Sequence, residues 1–256
     1  MLKRLLAHPA TRGLDLDAPE TTALRREIIR SKPFLKAIYE EWYRLIVDRV
    51  PEGKGVVLEL GAGGGFLSEV LDGVVTSDVF EVPGVDRVID ARELPFEDNE
   101  LKAIAMTNVF HHIPDVAQFL SEAQRTLRPG GRVLMIEPWN TWWSRFVHNN
   151  LHVEAMEPDA VDWSFPSAGP LSTANAALPW IVAERDRDRL ESEWPHLGVE
   201  EIKPFMPFRY LASGGVSMRS LQPLWSFNAW KALEKYTGTE TTSAVFALIV
   251  IEHMES

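Results

Sequence analysis

The sequence predicts an α/β protein built on a doubly wound, mostly parallel sheet, and three observations carry that prediction. The apolar run Gly55-Val56-Val57-Leu58 leads through Glu59-Leu60 into Gly61-Ala62-Gly63-Gly64-Gly65, a strand ending in a glycine turn. From residue 56 to residue 138, short apolar runs alternate with stretches of helical spacing, the rhythm of a sheet covered on both faces. Near the end, residues 243–251 are almost continuously apolar, as in a strand buried on both sides.

The elements follow in order. Leu24, Ile28, Leu35, Ile38, Trp42, Leu45 and Ile46 recur at spacings of three and four, which predicts helix over 20–49, broken at Pro33. Strand 56–60 is expected to feed a helix over 65–72, then strands at 74–78 and 86–90. A strand at 103–107, a helix at 115–127, the turn Leu127-Arg128-Pro129-Gly130-Gly131 and a strand at 132–136 complete this half. Residues 139–215 are rich in proline and tryptophan, with a charged helix near 182–194, too long a stretch for a plain loop. Strand 199–205, helix 221–236 and strand 243–252 then resume the pattern. The expected organisation is an N-terminal helical cap (1–50), a ligand-binding core (51–138), an inserted cap or lid (139–197) and the remainder of the sheet (198–256).

Composition removes several classes of function. With 26 basic and 37 acidic residues the 256-residue chain carries a net charge of −11, which argues against a broad nucleic-acid footprint. No cysteine is present, so disulfides, thiolate metal sites and cysteine nucleophiles are excluded. No stretch approaches the ~20 apolar residues of a membrane span, so a soluble, cytoplasmic protein is expected.

The glycine loop narrows the ligand. A G-x-G-x-x-G fingerprint starting at Gly61 needs glycine where Phe66 stands, and no Gly-Lys-Ser/Thr follows to cradle phosphates. Glu59, two residues before the first glycine, repels a pyrophosphate and suits a cationic ligand. S-adenosylmethionine, with its ammonium and sulfonium, is such a ligand.

Further motifs stand in order. Asp78 ends the second strand, and Asp90-Ala91-Arg92-Glu93-Leu94-Pro95-Phe96 ends the third. Asn108 and Phe110-His111-His112-Ile113-Pro114-Asp115 follow the fourth, and Leu127-Arg128-Pro129-Gly130-Gly131 precedes the fifth. Taken together these resemble the class I S-adenosylmethionine-dependent methyltransferases, type 11 domain, similar to the ubiquinone/menaquinone-type subgroup. The resemblance implies a Rossmann-like sheet of seven strands with the last antiparallel. It also implies a cofactor site of Glu59, Gly61, Ala62, Gly63, Asp78, Val79, Asp90, Ala91 and Asn108. Asp78 would take the ribose hydroxyls and Asp90 the adenine amino group, with Ala91 backbone at the ring. One departure is the spacing: only 12 residues separate Asp78 from Asp90, too few for the usual helix and strand.

Methyl transfer chiefly needs alignment, and a base only where the acceptor must lose a proton. His111 and His112, where the fourth strand meets the expected pocket, are the candidate catalytic residues. His148 and His152 stand at helical spacing with Glu154 beyond, but without a further fixed ligand no metal is expected. Eight of the nine tryptophans follow residue 138, and Trp139, Trp142 and Trp143 are candidates to line a substrate pocket; the alternative is a core of the cap. The expected function is methyl transfer to a small molecule, aromatic, sugar or lipid-like, most plausibly at oxygen, with S-adenosylhomocysteine as product. A quinone-type C-methyltransferase and a non-catalytic cofactor-binding regulator are the alternatives.

Overall fold

A computed structural model describes residues 8, 11, 15, 17–151, 154–166, 169 and 171–255. Two helices, α1 (Pro19–Ser31) and α2 (Pro33–Val47), meet at Lys32. Each begins on a proline, whose missing N–H costs nothing in a first turn. The sheet contains β1 (Val56–Leu60), β2 (Val74–Asp78), β3 (Arg87–Val88), β4 (Leu101–Thr107), β5 (Leu127–Pro138), β6 (Leu197–Phe205) and β7 (Phe246–His253). Their order is β3-β2-β1-β4-β5-β7-β6, and β7 runs antiparallel to both of its neighbours. The seven strands and the reversed last one are as the resemblance implies.

The two faces of the sheet are covered differently. One carries α2, whose Phe34, Leu35, Ile38, Trp42 and Ile46 pack on Val57, Ala103, Ala105, Leu134, Ile136, Leu248 and Val250. The other carries α3 (Val116–Thr126) and the helical stretch 178–193, with Leu178, Ile181, Val182 and Leu190 against Ile104, Met106, Val133, Met135, Ile249 and Ile251. Alternate residues of each strand therefore serve opposite cores, which is the period-two rule of a pleated sheet.

The expected helix over 65–72 does not form; two short turns, Ala62–Gly64 and Leu67–Glu69, stand in its place. Three consecutive glycines add about 1 kcal/mol each against helix. The seven residues left before Gly73, which has φ +76°, are too few to propagate one. Phe66 and Leu67 instead turn inward as buried plugs, with the Phe66 N–H donating to the Tyr43 hydroxyl at 3.1 Å. Between β2 and β3 the short spacing leaves only turns, and β3 shrinks to an exposed two-residue bridge.

Candidate active site

The carboxyl ends of β1, β2 and β4, together with α1 and α2, enclose a cavity of about 420 Å³. That volume lies within the usual range for small-molecule sites. Glu59, Gly61, Asp78, Val79, Asp90, Ala91 and Asn108 line it, as do His111 and His112.

Gly61 turns the chain out of β1 with φ +67°, and a Cβ there would run into the Val109 side chain. A Cβ on Gly63 would collide with Thr22 and Asp78. Gly63 and Ala62 lie behind the cavity wall rather than on it: the Gly63 N–H donates to Asp78 Oδ2 at 3.0 Å, while its carbonyl accepts from Arg26 Nε at 3.0 Å. Asp78 thus braces the glycine loop as well as facing the cavity. Burial pushes its carboxyl up despite that bond.

Glu59 is 4% exposed, and no hydrogen bond reaches its carboxylate among the described residues. Burial pushes it up to about 8; Arg26 pulls it down and Asp78 adds to the rise. A buried, unbonded carboxylate on a cavity wall is costly unless a cationic ligand completes it. Asp90 is different. Arg92 grips it through Nε to Oδ1 at 3.0 Å and a terminal nitrogen to Oδ2 at 2.7 Å, and holds its carboxyl below the usual range. The Arg92 backbone N–H donates to Oδ1 at 2.9 Å and Nε reaches Oδ2 at 3.3 Å, so Arg92 occupies the roughly four acceptor positions of the carboxylate.

The far end of the cavity is built around a residue that the sequence reading did not single out. Glu137 ends β5 in a fully buried position, and its Oε1 accepts from the backbone N–H groups of Val109 and Phe110, both at 2.8 Å. Its Oε2 accepts from His111 Nδ1 at 2.6 Å. One carboxylate therefore pins the turn after β4 and fixes the ring that the turn carries. A charged residue ending an otherwise apolar strand was the available signal.

The His112 ring lies beside that of His111, centroids 4.3 Å apart and planes tilted by 39°, and its Nδ1 meets the Thr173 carbonyl at 3.2 Å. Glu154 closes the group: Oε2 lies 3.4 Å from His111 Nε2 and Oε1 3.7 Å from His112 Nε2. Burial opposes charge on His111, but Glu137 and then Glu154 override it and push the ring up to about 10. Burial and the neighbouring His111 pull His112 down to about 4. Arg25, Tyr39, Tyr43 and Tyr210 complete the wall, also unforeseen because they come from distant parts of the chain.

The tryptophans call for a correction. None of Trp139, Trp142 and Trp143 lines the cavity. Trp139 is buried in the core, Trp142 is exposed, and Trp143 donates to the Pro207 carbonyl at 2.8 Å. They follow β5 in sequence, but Trp142 and Trp143 begin α4 (Trp142–Leu151) and Trp139 precedes it. Trp163 and Trp194 stack on each other in the core. Of the pair His148 and His152, the second lies outside the described residues; His148 is buried, its Nδ1 3.4 Å from the Glu154 carbonyl.

A doubly wound sheet of this strand order, with a glycine loop after β1 and acids ending β1 and β2, is the arrangement that the resemblance to the class I S-adenosylmethionine-dependent methyltransferases implies. The family described as a methyltransferase domain matches residues 58–135. The chain is 28% identical over 117 residues to a ubiquinone/menaquinone biosynthesis C-methyltransferase of Desulfotalea psychrophila, covering 38% of this chain and 48% of the relative. Against the protein of that name from Brucella canis it is 32% identical over 90 residues, or 34% of this chain and 30% of the relative. The chain thus spans half or less of the length of these curated relatives. Among solved structures it resembles the geranyl diphosphate C-methyltransferase of Streptomyces coelicolor, crystallised with Mg2+, geranyl diphosphate and S-adenosyl-L-homocysteine. The TM-score is 0.53 at 13% identity, covering 97% of this chain and 89% of that one, a likeness of fold.

Proposed function

We propose that the protein is an S-adenosylmethionine-dependent methyltransferase acting on a small molecule, with an oxygen as acceptor. The observation that carries the reading is the unbonded, buried Glu59 carboxylate on the cavity wall, with the His111–His112–Glu154 group lining the same cavity. When bound, the cofactor supplies a methyl group already activated by a sulfonium. Glu59 would balance its positive charge, Asp78 would accept from ribose hydroxyls with the capacity Gly63 leaves free, and Asp90 with Ala91 would face the adenine. The turn held by Glu137 would set the direction of approach at the acceptor end, and orientation of this kind is worth several kcal/mol.

The polar group at the acceptor end suits an oxygen acceptor, whose O–H proton must leave as the methyl group arrives. The names of the curated relatives favour carbon instead. A screen with radiolabelled S-adenosylmethionine against alcohols, phenols and carbon nucleophiles of quinone type separates the two. Label in an ether or ester supports oxygen; label only in ring-methylated products moves the assignment to carbon. Failure of both S-adenosylmethionine and S-adenosylhomocysteine to bind in calorimetry would remove the enzyme reading.

A further inference from the structure

The two imidazoles are presented in one particular way. His111 Nδ1 faces Glu137, a carboxylate that already accepts two backbone N–H groups, so this nitrogen is the donor. His112 Nδ1 faces a backbone carbonyl and is a donor by the same reasoning. In both rings Nε2 is therefore the end left for other chemistry. His111 Nε2 is fully buried yet has no hydrogen-bond partner, although Glu154 lies 3.4 Å away. One nitrogen of each ring and one Glu154 oxygen lie within 4.8 Å of one another, and all three residues line the cavity.

We propose that His111 Nε2, His112 Nε2 and the Glu154 carboxylate bind one divalent transition-metal ion at the acceptor end of the cavity, Zn2+ or an ion of similar preference. Two histidines and one carboxylate are a recurrent catalytic donor set that leaves coordination positions open. Ligands about 2.1 Å from a tetrahedral ion stand about 3.4 Å apart. The observed separations, 3.4 Å from His111 Nε2 to Glu154 Oε2 and 3.7 Å from His112 Nε2 to Glu154 Oε1, are close to that edge, so the carboxylate reaches each imidazole through a different oxygen. The Glu137–His111 bond is the carboxylate–histidine support that orients metal-binding imidazoles. Imidazole donors select against Mg2+ and Ca2+, which prefer all-oxygen sets. The open positions face the cavity, so the ion would take an oxygen donor of the acceptor, whether alcohol, phenol or carboxylate. The site depends on neither the cofactor nor the acceptor atom assigned above.

The test is to strip the full chain with a chelator and titrate it with Co2+, reading the visible absorption of the bound ion, then to displace it with Zn2+. One Co2+ per chain is expected, with binding at least tenfold weaker in His112→Ala and in Glu154→Gln. Glu137→Gln should weaken it roughly ten- to a hundredfold through the supporting bond. Glu154 is part-exposed, so Glu154→Gln remains informative if the histidine variant does not fold. Absence of stoichiometric Co2+ and Zn2+ binding, or binding unaltered in both variants, overturns the site. S-adenosylhomocysteine titrated into the same samples keeps the two readings apart. Nucleoside binding without metal overturns only the metal, and metal binding without nucleoside overturns only the methyltransferase assignment.

Discussion

Glu59 is the residue whose ionisation is most exposed to experiment. Its folded-state value, about 8, lies far above that of a carboxyl in an unfolded chain. The folded protein therefore holds a proton between about pH 4.5 and 8 that the unfolded chain has released, and stability from this group declines as pH rises through that window. A cationic ligand favours the ionised form, so its binding expels the proton. S-adenosylmethionine affinity should rise at least tenfold from about pH 5.5 to 7.5, and calorimetry in buffers of different ionisation enthalpy should register proton release. In Glu59→Gln the affinity should be lower and nearly flat with pH. A flat profile in the parent protein would contradict the placement of the cation beside Glu59. Asp78→Ala is expected to weaken S-adenosylhomocysteine binding by an order of magnitude or more, since it strands two hydroxyls and frees the Gly63 N–H. Unchanged affinity would refute the ribose assignment.

At the scale of elements, the decisive contacts lie where a strand or helix ends. Arg209, 2% exposed on the short helix α5 (Arg209–Ser213), binds Glu41 of α2 through both terminal nitrogens at 2.8 and 3.0 Å, and Glu234 of α6 (Phe227–Thr237) through Nε. Glu234 also accepts from the N–H groups of Phe208 and Arg209. Arg209→Ala removes the guanidinium from both carboxylates, leaving Glu41 with Lys231 at 3.1 Å and Glu234 with its backbone donors, and should cost about 3–5 kcal/mol, read as a lower urea midpoint. A loss below about 1 kcal/mol would show that water replaces the guanidinium. Lys32, at the junction of α1 and α2, is buried and donates to the carbonyls of Gly215 and Met218, beside the cavity residues Val216 and Ser217. Burial pulls it down to about 8. The two N-terminal helices thus hold part of the cavity wall in place.

For the whole molecule, α2 belongs to the core as fully as the strands do. Trp42 is fully buried against Tyr39, Tyr210 and Phe246, side chains drawn from α2 itself, α5 and β7. Unfolding followed by tryptophan fluorescence and by circular dichroism should therefore coincide in one transition, and Trp42→Ala should lower its midpoint by about 3–5 kcal/mol equivalents. A separate early transition of the helices would show an appended cap instead. S-adenosylhomocysteine at a hundred times its Kd should add about 2.7 kcal/mol to the same transition.

The sheet, its glycine loop and the acids at Glu59, Asp78 and Asp90 were legible because each rests on local spacing: period two in strands, glycine where backbone must turn, a carboxylate at a strand's carboxyl end. The pair His111-His112 was legible as polar residues following an apolar strand. Two local expectations gave way to tertiary forces: the helix over 65–72, lost to three glycines and inward plugs, and the tryptophans after β5, placed in the core and on the surface rather than on the cavity. No helix among the described residues is long and apolar enough to cross a membrane. What tertiary structure alone decided is which distant residues meet. Glu137 reaches His111 because β4 and β5 are adjacent parallel strands, and Glu154, far from both histidines in sequence, lies 3.4 Å from one ring and 3.7 Å from the other. Sequence patterns report each residue's own secondary structure and burial. The cluster at the acceptor end of the cavity is set by strand order and chain reversal, which act between residues far apart in the chain.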